Sequence, residues 1–183
     1  MSNAVVFVGI SFLSMSPSDV PGFFYAEAAV RHILTVQKEQ GIEGALAEIG
    51  VHHGKSFATM LDASASGVPV VAIDVFEDQH LNYDRSGNTT QDIFLSNLRN
   101  VFTASRLQQI VLHKGDSMEL KLSELLRLTR HLKVALLSVD GCHTYRCTMS
   151  DLDLALSVLH DKGVIMVDDY ANIVQNRERQ VQV

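Results

Sequence analysis

Cysteine is scarce: Cys142 and Cys147 are the only two in 183 residues. They form neither a disulfide framework nor a paired CxxC zinc site, which fits a reducing, cytoplasmic setting. Basic runs are missing too. The net charge is −6 and no Lys/Arg-rich stretch occurs, so a nucleic-acid backbone is not expected as the main partner. Long apolar runs are also absent. The N-terminal "AVVFVGISFLSM" lacks a basic flank and is too short to span a bilayer, so no membrane partner is expected. Residues 1–21 read as a packing segment or a poorly ordered end, with a cleaved signal peptide as the alternative. No internal repeat or low-complexity segment is visible. What is present is ordinary globular composition, 46% hydrophobic and 20% charged, at a length that suits one domain.

Apolar patterning alternates between two periods. "PGFFYAEAAVRHILTVQKEQG" places Phe24, Ala28, Ile33 and Leu34 at helical spacing. "ALAEIG" then predicts a buried strand, "KSFATMLDASASG" a helix, "PVVAID" a strand and "TQDIFLSNLRNVF" a helix. "QQIVLHKG" predicts a third strand, "SMELKLSELLRLTRH" a helix and "KVALLSVD" a fourth strand. "YRCTMSDLDLALSVLHDKG" reads as a helix stopped at Gly163, and "GVIMVDDY" as a fifth strand. Short apolar strands alternating with helices mean a parallel α/β sheet covered on both faces. The polar stretch "FEDQHLNYDRSGNTTQ" after the second strand is long enough to be a binding loop.

In such sheets, ligands sit beyond the carboxyl ends of the strands. Acidic residues leave every strand there: Glu48, Asp74, Asp116, Asp140, and the pair Asp168 and Asp169. "GVHHGKS" (Gly50 to Ser56) is one residue short of the phosphate-binding G-x-x-x-x-G-K-[ST] loop. The shortening spoils the curvature that cradles phosphates, and Glu48 would repel an anion. A cofactor with a cationic end and a ribose suits the turn better. Gly50 and Gly54 would let the backbone approach it, Glu48 would pair with an ammonium group, and Asp74 would accept from ribose hydroxyls. The G-x-G-x-x-G dinucleotide fingerprint is absent. Simpler roles stand beside these: Gly54 admitting close packing, Ser56 capping a helix, and Asp116 with Ser117 capping the next one.

"EIGVHHGKS", "AIDVFEDQ", "GDS", "SVDGCHTY…DLDLAL" and "GVIMVDDY", in that order, resemble class I S-adenosylmethionine-dependent methyltransferases. The nearest resemblance is to the group of macrocin and mycinamicin sugar O-methyltransferases and cephalosporin-hydroxylase-like proteins. It covers residues 22–175, leaving a polar tail at 176–183. It implies a Rossmann-like sheet of order 3-2-1-4-5, and a reaction that methylates a small-molecule hydroxyl. Glu48, Gly50, Gly54 and Ser56 would line the methionine end of the cofactor, Asp74 would hold the ribose, and Asp116 with Ser117 would lie by the adenine.

Asp140, Asp168 and Asp169 leave two strands expected to be neighbours. Three converging carboxylates repel one another unless a cation sits between them, and oxygen donors suit Mg²⁺ or another hard divalent ion. The resemblance implies a metal at these positions and makes His143 the base that takes the hydroxyl proton. Other classes remain open: a family member that binds the cofactor without methyl transfer, or an ATP- or NAD-binding α/β protein. Related methyltransferases carry two more strands, which "ANIVQNRERQVQV" is too short to form. A shortened form, or a homo-oligomer that covers the fifth-strand edge, is therefore expected.

Overall fold

Five short apolar segments pair into one parallel sheet. The computed structural model describes residues 20, 26–84 and 87–168. In it β1 (Ala45–Ile49), β2 (Val70–Asp74), β3 (Ile110–Lys114), β4 (Val134–Val139) and β5 (Leu159–Val167) lie in the order β3-β2-β1-β4-β5. All four pairings are parallel, as the alternating pattern requires. Strand order reverses between β1 and β4, so the crevice where ligands bind in such sheets opens above that pair. The other edge of β5 meets no strand among the described residues.

Helices cover both faces, which is why β1 and β4 are buried along their whole length. On one face α1 (Glu27–Glu39), α2 (Lys55–Ala63) and α3 (Gln91–Val101) close a core around Leu46, Phe57, Phe94 and Leu136. Phe57 and Phe94 meet edge to face with ring centroids 5.2 Å apart, a geometry that contributes about 0.5–1.5 kcal/mol beyond burial. The short α4 (Ala104–Leu107) follows, and its Arg106 donates to the carbonyl of Asp62 at 2.8 Å, just before the end of α2. On the other face α5 (Leu122–Leu128) and α6 (Tyr145–Val158) pack around Ile49, Leu125, Leu137 and Ala155.

Three segments depart from the sequence pattern. "SMELKLSELLRLTRH" is not one helix. It splits into a 3₁₀ turn at Ser117–Glu119 and α5, because Leu120 and Lys121 are extended and Leu120 turns into the core. α6 ends at Val158 rather than Gly163: Leu159 already pairs with Val134, and the register shifts before Leu136 pairs with Val164. α4 was not expected, since four residues carry no readable period. Residues 1–19, Phe24, Asp169 and the tail 176–183 lie outside the described residues. No helix among the described residues is long and apolar enough to cross a membrane.

Candidate functional site

The carboxyl ends of β1, β2 and β4, with the turn after β3, surround a cavity of about 210 Å³, far larger than the roughly 10–15 Å³ that holds one water. Six of the residues singled out from the sequence line it: Gly50, Asp74, Asp116, Ser117, Asp140 and His143. Glu48, Gly54, Ser56 and Asp168 do not, and Asp169 lies outside the described residues.

The turn after β1 is shaped by two glycines in the left-handed region. At Gly50 φ is +85°, and a Cβ would stand 2.1 Å from the Asp140 carbonyl oxygen. The protein's own β4 end therefore requires glycine there, whatever ligand approaches. Gly54 caps α2 with φ +90°, and a Cβ would meet the edge of the Phe94 ring at 2.9 Å. Its expected packing role is thus found, against a helix rather than a strand.

Asp74 holds two further strained residues. His52 and Phe76 adopt φ of 46° and 49°, rare for residues with side chains. Asp74 Oδ2 accepts the His52 N–H at 2.9 Å and Oδ1 the Phe76 N–H at 2.7 Å. The carboxylate thus knits the β1 and β2 turns together, and each oxygen keeps a second lone pair. His52 itself lines the cavity, and burial, then its neighbour His53, lowers its pKa.

Glu48 sits behind this turn, on the central strand, with 0% exposure. Neither carboxyl oxygen forms a hydrogen bond of ordinary geometry, although the Ser56 hydroxyl is close enough to favour the charged form. Burial dominates and pushes the carboxyl well above its usual range, and the charges of Asp140, Asp74 and Asp168 push the same way. A buried, unsatisfied carboxyl at a strand end is a poor structural element and a good partner for a cation.

At the end of β3, Asp116 Oδ1 accepts the Met118 N–H at 2.9 Å, so it does cap the following turn while also facing the cavity. Beneath it lies Asp151, on α6, which was not singled out from the sequence as a site residue. The start of α6 is capped by Thr144, whose hydroxyl accepts the Cys147 N–H at 3.3 Å. Asp151 is 1% exposed, and its acid is pushed up to about 6 by burial, then opposed by the Ser117 hydroxyl and reinforced by Asp116. Spacing could have found it, because Cys147, Asp151, Ala155 and Val158 form the buried stripe of α6.

Asp140 and Asp168 extend adjacent strands. The Asp140 N–H bonds to the Ile49 carbonyl at 2.8 Å and the Asp168 N–H to the Val139 carbonyl at 3.0 Å. Among the described residues no group of three or more His, Cys, Asp and Glu side chains could hold a metal ion. His143 Nε2 lies 3.7 Å from Asp140 Oδ1, while Nδ1 lies 3.0 Å from Asp84 Oδ2. Asp84, in the long polar loop after β2, was not singled out from the sequence; only the loop's length and polarity pointed there. Cys142 and Cys147 also line the cavity, but burial, then a hydrogen bond with Cys142, pushes the Cys147 thiol up to about 12, which suits no nucleophile.

Known proteins with this architecture include methyltransferases. The O-methyltransferase NovP is similar over 85% of this chain and 69% of its own, at 18% identity and a TM-score of 0.64. CalS11, a TDP-rhamnose 3'-O-methyltransferase of calicheamicin biosynthesis, is similar over 86% of this chain and 67% of its own, at 17% identity and a TM-score of 0.55. These likenesses concern the fold. No curated protein matches the chain. A methyltransferase domain family matches residues 47–170, from the central strand to just beyond β5. Most of the chain, including the turns that build the cavity, therefore lies within that match, and the protein belongs to the S-adenosylmethionine-dependent methyltransferase domain family.

Proposed function

We propose that the protein transfers a methyl group from S-adenosylmethionine to a hydroxyl of a small molecule. The observation that carries this reading is the convergence of Gly50, Asp74, Asp116, Asp140 and His143 on one cavity at the strand-order reversal of a methyltransferase-family domain. The oxygen acceptor is favoured by the O-methyltransferases that share the fold.

The residues fit the cofactor's chemistry. Glu48 lies behind the β1 turn rather than on the cavity lining, and its buried carboxyl, with no hydrogen-bond partner of ordinary geometry, would suit an ammonium group that reaches past the turn. Asp74 has spare lone pairs toward the cavity, suited to ribose hydroxyls, and Asp116 with Ser117 forms the wall where a base would rest. S-adenosylmethionine supplies a methyl on a positively charged sulfur that leaves as a neutral thioether.

His143 is the base. It takes the proton of the acceptor hydroxyl at Nε2 and becomes imidazolium, so the attacking oxygen carries no proton into the product. Asp140 and Asp168 would hold a divalent cation, Mg²⁺ by donor type, with Asp169 as a third ligand. Carboxylate oxygens suit such an ion by donor type, and it would acidify a hydroxyl beside it. A soluble small molecule, rather than nucleic acid or membrane, is the substrate that fits an acidic cavity of this size.

The test is transfer of labelled methyl to a panel of hydroxyl-bearing glycosides and sugar nucleotides, with and without chelator. Labelled product that falls with chelator supports the full reading. Product unaffected by chelator removes the metal, and labelling only of amines or thiols removes the O-methyl assignment.

A further inference from the structure

One carboxylate oxygen makes two contacts with His143. Asp84 Oδ2 accepts the backbone N–H of His143 at 2.7 Å and lies 3.0 Å from ring Nδ1. The partners are 59 residues apart in the chain. Both are mostly withdrawn from water, with side-chain exposures of 19% for Asp84 and 25% for His143. A carboxylate can only accept, so the ring nitrogen facing it must carry the hydrogen. A neutral imidazole has one N–H. With that hydrogen on Nδ1, the lone pair is on Nε2, which faces the Asp140 side of the cavity, 3.7 Å from Oδ1.

The loop that brings Asp84 is itself tied down. Glu77 and Asp78 pair with Lys114 at 2.6 and 3.1 Å, and Glu77 also accepts the Gln91 N–H at 3.2 Å. Gln79 bonds back to the Phe76 carbonyl. The loop residues Leu81, Asn82 and Tyr83, just before Asp84, line the cavity with His143. Asp84 therefore reaches His143 from a wall of the site, and its single oxygen fixes both the backbone and the ring plane.

We infer that Asp84 is a positioning residue, which holds His143 as the Nδ1–H tautomer with Nε2 presented to the acceptor. This rests on the reading of His143 as the base, but the tautomer can be tested without any substrate. Long-range ¹H–¹⁵N correlation spectra of the full chain, at a pH where imidazole is neutral, report which ring nitrogen bears the hydrogen. His143, assigned by loss of its signals in His143→Gln, should show N–H character at Nδ1. Asp84→Ala should move it toward the Nε2–H form that an unrestrained imidazole prefers. Nε2–H in the unaltered protein overturns the inference even if the variant does not fold, and so does an unmoved tautomer in folded Asp84→Ala.

Turnover gives the second readout. Asp84→Ala should lower kcat by roughly 10²–10⁴-fold with KM for S-adenosylmethionine unchanged, and Asp84→Glu should recover part of it. An unchanged kcat overturns the positioning role. If the unaltered protein shows the Nδ1–H tautomer yet methylates no hydroxyl, the fault lies with the proposed reaction and the Asp84–His143 pair stands.

Discussion

The β2 side of the cavity and the β4 side are held by different kinds of contact. At β2, Asp74 bonds the amide of Phe76, two residues on, and that of His52 in the turn of the neighbouring strand. At β4, Asp84 reaches from the middle of the long loop after β2 to grip His143. The first arrangement follows from sheet topology: once β1 and β2 pair in parallel, their outgoing turns must meet. The second depends on the path of a loop that no pairing rule dictates. One side is therefore a scaffold that shapes the cavity, and the other holds the residue proposed as the base. Substitutions should separate the roles, stability and cofactor affinity at the β1 and β2 turns and turnover at His143.

The largest separation is expected at His143. His143→Ala should lose roughly 10²–10⁴ in kcat while cofactor affinity and melting temperature stay put. Labelled-methyl assays alongside calorimetry check this, and a loss of affinity equal to the loss of rate would erase the distinction between the two sides.

Gly50→Ala should act the opposite way. Its Cβ would collide with the Asp140 carbonyl carbon and oxygen at 2.5 and 2.1 Å, on a backbone already at φ +85°. A cost of about 3 kcal/mol is expected, a fall of roughly 6–12 °C in Tm for a domain of this size. A Tm within a degree of the unaltered protein would show that the β4 end yields easily.

Asp151, under the cavity floor, gives a pH test. Its acid is ordinarily near 3.8 and is pushed up to about 6 in the fold. Between those values the unfolded chain loses the proton while the folded protein keeps it. The contribution is thus fully present below pH 3.8 and is lost as pH rises to about 6. Urea midpoints should fall over that window, and Asp151→Asn should remove about 2 kcal/mol of the fall. Parallel curves for the two proteins would contradict the burial argument.

The smallest effect is expected at Asp74. Asp74→Asn keeps one acceptor oxygen but loses one amide contact, from His52 or Phe76, and the charge toward a ribose. Affinity for S-adenosylmethionine should weaken about tenfold, or roughly 1.4 kcal/mol. A larger loss accompanied by a lower Tm would mean that the turns at His52 and Phe76 rearrange.

How much of this was legible in the sequence follows the same division. The strands and their acidic ends could be read because apolar runs such as "VVAID" and "VALLSV" mark the sheet and the residue after each run leaves it at the carboxyl end, whereas the strand order came from the resemblance to methyltransferases. The bend at Leu120 and the early entry of Leu159 into the sheet could not, because local period gives way there to packing against the core. At the site, Asp74, Asp116, Asp140 and His143 were visible as strand-end residues. The His52 and Phe76 amides on Asp74, the Asp140 carbonyl against Gly50, and Asp84 on His143 were not, since each depends on two backbones meeting in space. Asp151 lay in plain view at helical spacing, but a charge within a buried stripe reads as a surface residue until its neighbours are known.

The central claim, that these strand ends form a cofactor site for S-adenosylmethionine and not a shortened phosphate-binding loop, is most directly tested by titration calorimetry of the full chain. One S-adenosylmethionine should bind per chain, with no heat from ATP under the same conditions. Binding of ATP without binding of S-adenosylmethionine would contradict it.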